Sequence, residues 1–133
     1  MVINESLRLY PHVITMTRKV EREIKLGNFT LSENVNIFMS LLALHQNPEI
    51  WGHDVHYFRA KRFANRVDRA TNNNAASFFP FGTGPRTSVG LNLTTNEAKI
   101  ALSLILQHYR FTLSSNYVHY LVDMFILIPK KGV

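Results

Sequence analysis

The chain contains no cysteine. That absence excludes a disulfide framework, a thiolate metal site and a cysteine nucleophile. There is no run of eighteen uninterrupted apolar residues, so no segment reads as a transmembrane span. No apolar stretch follows Met1 either; Asn4, Glu5 and Arg8 come at once, and no secretory leader is expected. Acidic side chains are few: nine Asp+Glu stand against fifteen Lys+Arg, a net charge of +6. A basic balance suggests an acidic partner, whether nucleic acid, anionic membrane or protein, without choosing among them. With 46% hydrophobic and 18% charged residues the composition is globular, which excludes a disordered tail or a collagen-like repeat. No internal repeat or linker divides the 133 residues, so a single domain is expected.

The periodicities predict a mixed α+β chain. Residues 4–10 read as a helix that Pro11 stops, with the look of an element entered midway. Residues 13–20 read as a strand, and residues 22–31 as a hairpin around Gly27-Asn28. Val35 to His45 is apolar and fits strand or helix; Gln46-Asn47-Pro48 breaks it. Residues 64–76 are polar and read as a surface loop, and 78–90 as a Gly/Pro-punctuated loop. From Leu91 to Tyr109 the helical pattern is the best in the chain, with Ile100, Ala101, Leu104 and Ile105 on one face. Phe111–Leu113 and Val122–Ile128 read as a closing hairpin.

Gly82, Gly84 and Gly90 share the one loop that runs into that long helix. Such a loop can turn backbone N–H groups and a helix N-terminus toward an anion or cofactor. It is not a Walker loop, because no Lys-Ser/Thr follows the last glycine, and it lacks the spacing and βαβ setting of the dinucleotide fingerprint. The wider pattern is more specific. Phe81-x-x-Gly84-x-Arg86-x-Ser88-x-Gly90 resembles the haem-binding loop of the cytochrome P-450 superfamily, Phe-x-x-Gly-x-Arg-x-Cys-x-Gly. Glu5-x-x-Arg8 resembles the family's Glu-x-x-Arg motif, and Phe58-x-x-x-Arg62-Phe63 the segment that supplies a second arginine to the Glu-Arg-Arg triad. Ala43-Leu44-His45 and Pro48-Glu49-Ile50-Trp51-Gly52, between them, look like the plant members' connecting segment. The motifs come in family order, and the likeness covers residues 1–133.

The resemblance implies a single partial domain: the C-terminal haem-loop portion of the mainly α cytochrome P-450 fold, roughly its last quarter. It implies a haem-dependent monooxygenase that hydroxylates a small apolar metabolite, most like plant members acting on isoprenoid-like compounds. The family draws electrons from an NADPH-cytochrome reductase and sits on the cytosolic face of the endoplasmic reticulum through an N-terminal anchor. It implies roles for Arg86 and Arg18 at the haem propionates, where a guanidinium suits a carboxylate. Arg18 equally suits a strand-edge charge beside Lys19 and Arg22. Phe81 would pack beneath the haem, and Gly84 and Gly90 would allow backbone geometry that a Cβ blocks. Ser88 would take the axial position, and Glu5, Arg8 and Arg62 would form the structural triad.

Position 88 departs from the family. A serine hydroxyl is a hard, neutral oxygen and cannot supply the thiolate donation that favours O–O cleavage. Ala60 and Lys61 stand where the family has Pro and Glu, and His12 replaces a proline. The oxygen-activating helix, the Trp-bearing helix on the propionate side and the anchor have no counterpart in these residues. An inactive chain is therefore expected, with a non-enzymatic truncated or decayed member, binding haem weakly or not at all, as the alternative. His53-x-x-His56 reads either as a metal pair or as an exposed loop pair, and no third ligand cluster accompanies it. A nucleic-acid-binding module is disfavoured, because Lys and Arg are scattered with only local clusters at 18–25 and 59–69.

Overall fold

The computed structural model describes residues 1–118, with the backbone of 121–123 and 127–129. Helix α1 spans Val2–Leu9 and buries Glu5, Arg8 and Leu9. It ends at Tyr10, whose N–H bonds back to the Ser6 carbonyl at 2.8 Å; the following proline disfavours helix in the residue before it. Strand β1 (Thr15–Lys19) pairs antiparallel with β4 (Asn36–Ser40), Thr15 opposite Ser40 and Lys19 opposite Asn36. Nested between them, β2 (Ile24–Leu26) and β3 (Phe29–Leu31) form the hairpin whose turn holds Gly27 at φ +58°, a conformation that costs glycine little.

The run 35–45 is strand and helix in succession. At Ser40 the extended chain ends and α2 (Leu41–His45) begins; the Ser40 hydroxyl accepts the Ala43 N–H at 3.1 Å as an N-cap. Asn47 repeats the device for α3 (Pro48–Trp51), accepting the Glu49 N–H at 2.9 Å with Pro48 in the first turn. The core sits beneath these short helices. Trp51, Val55 and Phe63 are buried together, with Ile50, Val67, Ala70 and Phe78 packed on them.

Residues 64–76 correct the loop reading in part. They contain helix α4 (Arg66–Ala70), which the half-buried Val67 ties to the core, and only then turn through Asn72 and Asn73 in left-handed conformations. Helix α5 spans Leu91–His108. Its expected apolar face turns outward: Ile100 is 61% exposed and Leu104 52%. The half-buried stripe is instead Leu91, Thr95, Ala98 and Leu102. The helix is apolar on several sides, so residue pattern alone did not fix which side meets the protein. Residues 111–113 form no strand. The closing hairpin pairs β5 (Leu121–Asp123) with β6 (Leu127–Pro129), Val122 opposite Ile128; residues 124–126 of the expected strand lie outside the described residues.

Candidate functional site

The site has a frame and a loop. The frame is built on a glutamate and an arginine one helical turn apart, which places both on one face of α1. That face is turned inward, and both side chains are 0% exposed. A buried arginine needs its charge and its N–H groups answered. Arg8 Nε donates to Glu5 Oε2 and Nη2 to Glu5 Oε1, both at 2.9 Å. Nη1 donates to the His45 carbonyl at 2.9 Å and Nη2 to the Val55 carbonyl at 2.7 Å. The guanidinium also lies 5.3 Å from the Trp51 ring, a cation–π distance. Helix α1 is thereby tied to α2 and to the chain after α3.

The other arginine of the expected triad comes near Glu5 without a hydrogen bond to it. Arg62 lies in the 3₁₀ turn Ala60–Phe63, and its Nε approaches Glu5 Oε1 at 3.5 Å. Two residues escaped the sequence reading. Asp54 bonds Arg62 Nη1 at 3.1 Å and pairs with Arg59 at 2.9 Å. Partial burial raises its carboxyl pKa, but the Arg62 hydrogen bond and the two arginine charges lower it more, so it lies below its ordinary value. His45 is fully buried, its ring 5.3 Å from that of Phe78 and 6.2 Å from that of Phe79. Desolvation first, then the Arg8 charge, lower its pKa from 6.5 to about 4; the Leu7 carbonyl opposes this weakly. Neither ring nitrogen has a hydrogen-bond partner of good geometry.

Phe78, its ring tilted against that of Phe63 at 5.0 Å, carries the frame into the loop. The loop closes on itself: the Ser88 N–H donates to the Phe81 carbonyl at 2.9 Å, and the Thr87 hydroxyl to the Gly84 carbonyl at 2.8 Å. Gly82 and Gly84 have φ of +81° and +78°, so a side chain at either would be strained. Gly90 differs from expectation. Its φ is −80°, and a Cβ there would meet only ordinary contacts, at 3.6 Å, with the Ser88 and Thr94 hydroxyls. Gly82, not Gly90, carries the backbone requirement.

Ser88 is exposed, and its hydroxyl accepts the Gly90 N–H at 3.3 Å, just before α5. Arg86 is exposed on the loop, with no ion pair among the described residues. Arg18 is half-buried on β1, on the same face as Met16, whose methyl would meet a Cβ on Gly82 at 3.6 Å. Thus β1 runs past the loop and directs Arg18's face toward it. Phe81 is half-buried and lines, with Leu7, Val67 and Leu91, a cavity of about 240 Å³ between α1, the loop and α5. His53 and His56 are exposed, and no cluster able to hold a metal occurs among the described residues; His119 lies outside them.

A haem-type group meets a divided reception here. Two glycines in left-handed geometry, the exposed Arg86 and the N-terminus of α5 suit an anionic ligand. The donor does not suit thiolate-ligated iron: Ser88 presents a neutral oxygen, and His45, the buried imidazole, sits behind Phe78 and Phe79. The loop therefore fits the porphyrin's charge better than its iron.

A loop of this form on an Arg8–Glu5–Arg62 frame defines a class, and the sequence model of the cytochrome P-450 family matches residues 1–132. The chain belongs to that family, whose chemistry is haem-dependent oxidation. Among particular relatives, a cytochrome P-450 of Panax ginseng is 56% identical over the whole chain. The 11-oxo-beta-amyrin 30-oxidase of Medicago truncatula is 43% identical over 99% of the chain, and the echinocystic acid 23-monooxygenase of Saponaria officinalis 41% identical over 99%. The chain spans about a quarter of each relative's length, 25% in all three.

Proposed function

We propose that this chain is the C-terminal, haem-loop part of a plant monooxygenase of the cytochrome P-450 family whose axial cysteine is replaced by Ser88. The whole enzyme of this kind hydroxylates a small apolar metabolite with molecular oxygen and reductase-supplied electrons, at the cytosolic face of the endoplasmic reticulum. Relatives named for 11-oxo-beta-amyrin and echinocystic acid indicate the substrate class. In this chain Arg86 and Arg18 would receive the propionates, and Phe81, Gly82 and Gly84 would shape the loop. The observation that carries the reading is the loop itself: closed by the Ser88–Phe81 hydrogen bond, with Gly82 and Gly84 in left-handed geometry and Arg86 making no ion pair among the described residues.

The oxygen at position 88 favours a second reading of the chain by itself, a family member that does not oxygenate. Haem titration followed by absorption separates the readings. Uptake that Arg86→Gln weakens about tenfold, the scale of one charge-assisted hydrogen bond, supports a haem loop. Uptake insensitive to Arg86, or none, leaves a non-enzymatic relative.

A further inference from the structure

The sequence reading pairs Arg62 with Glu5, yet the Arg62 guanidinium faces chiefly Asp54. Its Nη1 donates to Asp54 Oδ1 at 3.1 Å and to the Trp51 carbonyl at 2.7 Å. Its Nη2 donates to the Asp54 carbonyl at 3.2 Å and lies 3.1 Å from Oδ1. Toward Glu5 only Nε points, at 3.5 Å and without a hydrogen bond. The Glu5 carboxylate is already committed: both oxygens accept from Arg8, and Oε1 also accepts the Arg59 N–H at 2.9 Å. Asp54 is therefore the nearer and better-oriented counter-ion of Arg62.

What Arg62 holds gives Asp54 its consequence. The next residue, Phe63, is buried against Trp51 at 5.8 Å and Phe78 at 5.0 Å, and Phe78 opens the segment that becomes the loop. We infer that Asp54 is a positioning residue for the 78–90 loop, acting through Arg62 on the 60–63 turn and through Phe63 on Phe78. Its other partner does not explain this role. Arg59 reaches Oδ2 at 2.9 Å from a side chain 65% exposed, where solvent and side-chain entropy leave an ion pair little net effect. The inference rests on the ion network alone and holds whether or not the loop takes up haem.

Hydrogen exchange of the full chain, read by mass spectrometry without added haem, tests it. Asp54→Asn keeps the shape of the side chain and removes the charge. It should speed exchange at least tenfold in segments 59–64 and 78–82, while residues 2–9 change less than twofold. Asp54→Glu should restore most of the protection, and Arg59→Gln should leave both segments as they were. Three results overturn the inference: unchanged exchange in either segment of Asp54→Asn; a uniform rise across the chain, including α1, which would make Asp54 a general stabiliser; or the same opening from Arg59→Gln.

Discussion

Helix α1 is eight residues long and buries a glutamate and an arginine completely; helix α5 is eighteen residues long and buries none of its side chains. The short helix is held by specific partners from three segments of the chain, and each contact answers a charge or a polar group that burial would otherwise penalise. The long helix leaves apolar side chains in water, among them Leu93, Ile100, Leu104 and Leu106. A strong helical pattern therefore shows that a helix forms, whereas buried polar groups with named partners show where a structure is fixed. The same contrast separates the frame of the site, whose charged side chains are buried and paired, from the loop, where Arg86 and Ser88 are exposed.

Changes at the two helices should differ accordingly. Glu5→Ala removes the carboxylate paired with the buried Arg8 and should cost about 3–5 kcal/mol, the scale for breaking a buried pair. Urea unfolding measures it. A loss under about 0.5 kcal/mol would give the pair the weight of an exposed one. Arg62 retains Asp54 in that variant, so Arg8 is the stranded charge.

Acid should act next most strongly, through His45. Its folded pKa, about 4, lies below the unfolded value of 6.5, so the unfolded chain binds the extra proton between those values. Stability is then complete above pH 6.5 and falls as pH drops toward 4, by about 3 kcal/mol. Unfolding midpoints between pH 7 and 4.5 should show the slope, and His45→Phe should flatten it. An equal slope in that variant would place the titration elsewhere. The smallest effect belongs to α5: Leu104→Lys should alter stability by less than about 0.5 kcal/mol, since the position is already half in water. A loss of about 2 kcal/mol would mean that this face is covered in solution.

The legible features were those with a local cause. Pro11 ends α1, Gly27 turns the hairpin, and α5 follows its own periodicity over 91–108. The Glu5–Arg8 spacing marks two residues on one helical face, and the structure buries that pair. Asp54 was not legible: it meets Arg62 across irregular chain, where no period links them. His45 stood at the end of an apolar run, and its burial beside Phe78, 33 positions away, has no local signal. The strand expected at 111–113 failed because short apolar runs acquire structure from partners, and none pairs with these residues among those described.

The proposal that residue 88 would take the axial position, with oxygen where the family has sulfur, is the one most directly tested. Its most direct test joins this chain to the remaining three quarters of the ginseng relative, so that both sides of the haem pocket exist. The reduced carbon monoxide spectrum is then recorded with Ser88 and with Ser88→Cys. The Ser88 form should lack the red-shifted band that marks a thiolate ligand. The cysteine form should show it, because the N-terminus of α5 and the loop amides lower a thiol's pKa. A thiolate-type band from the Ser88 form, or none from a folded, haem-loaded Ser88→Cys form, would contradict the placement of residue 88 at the iron.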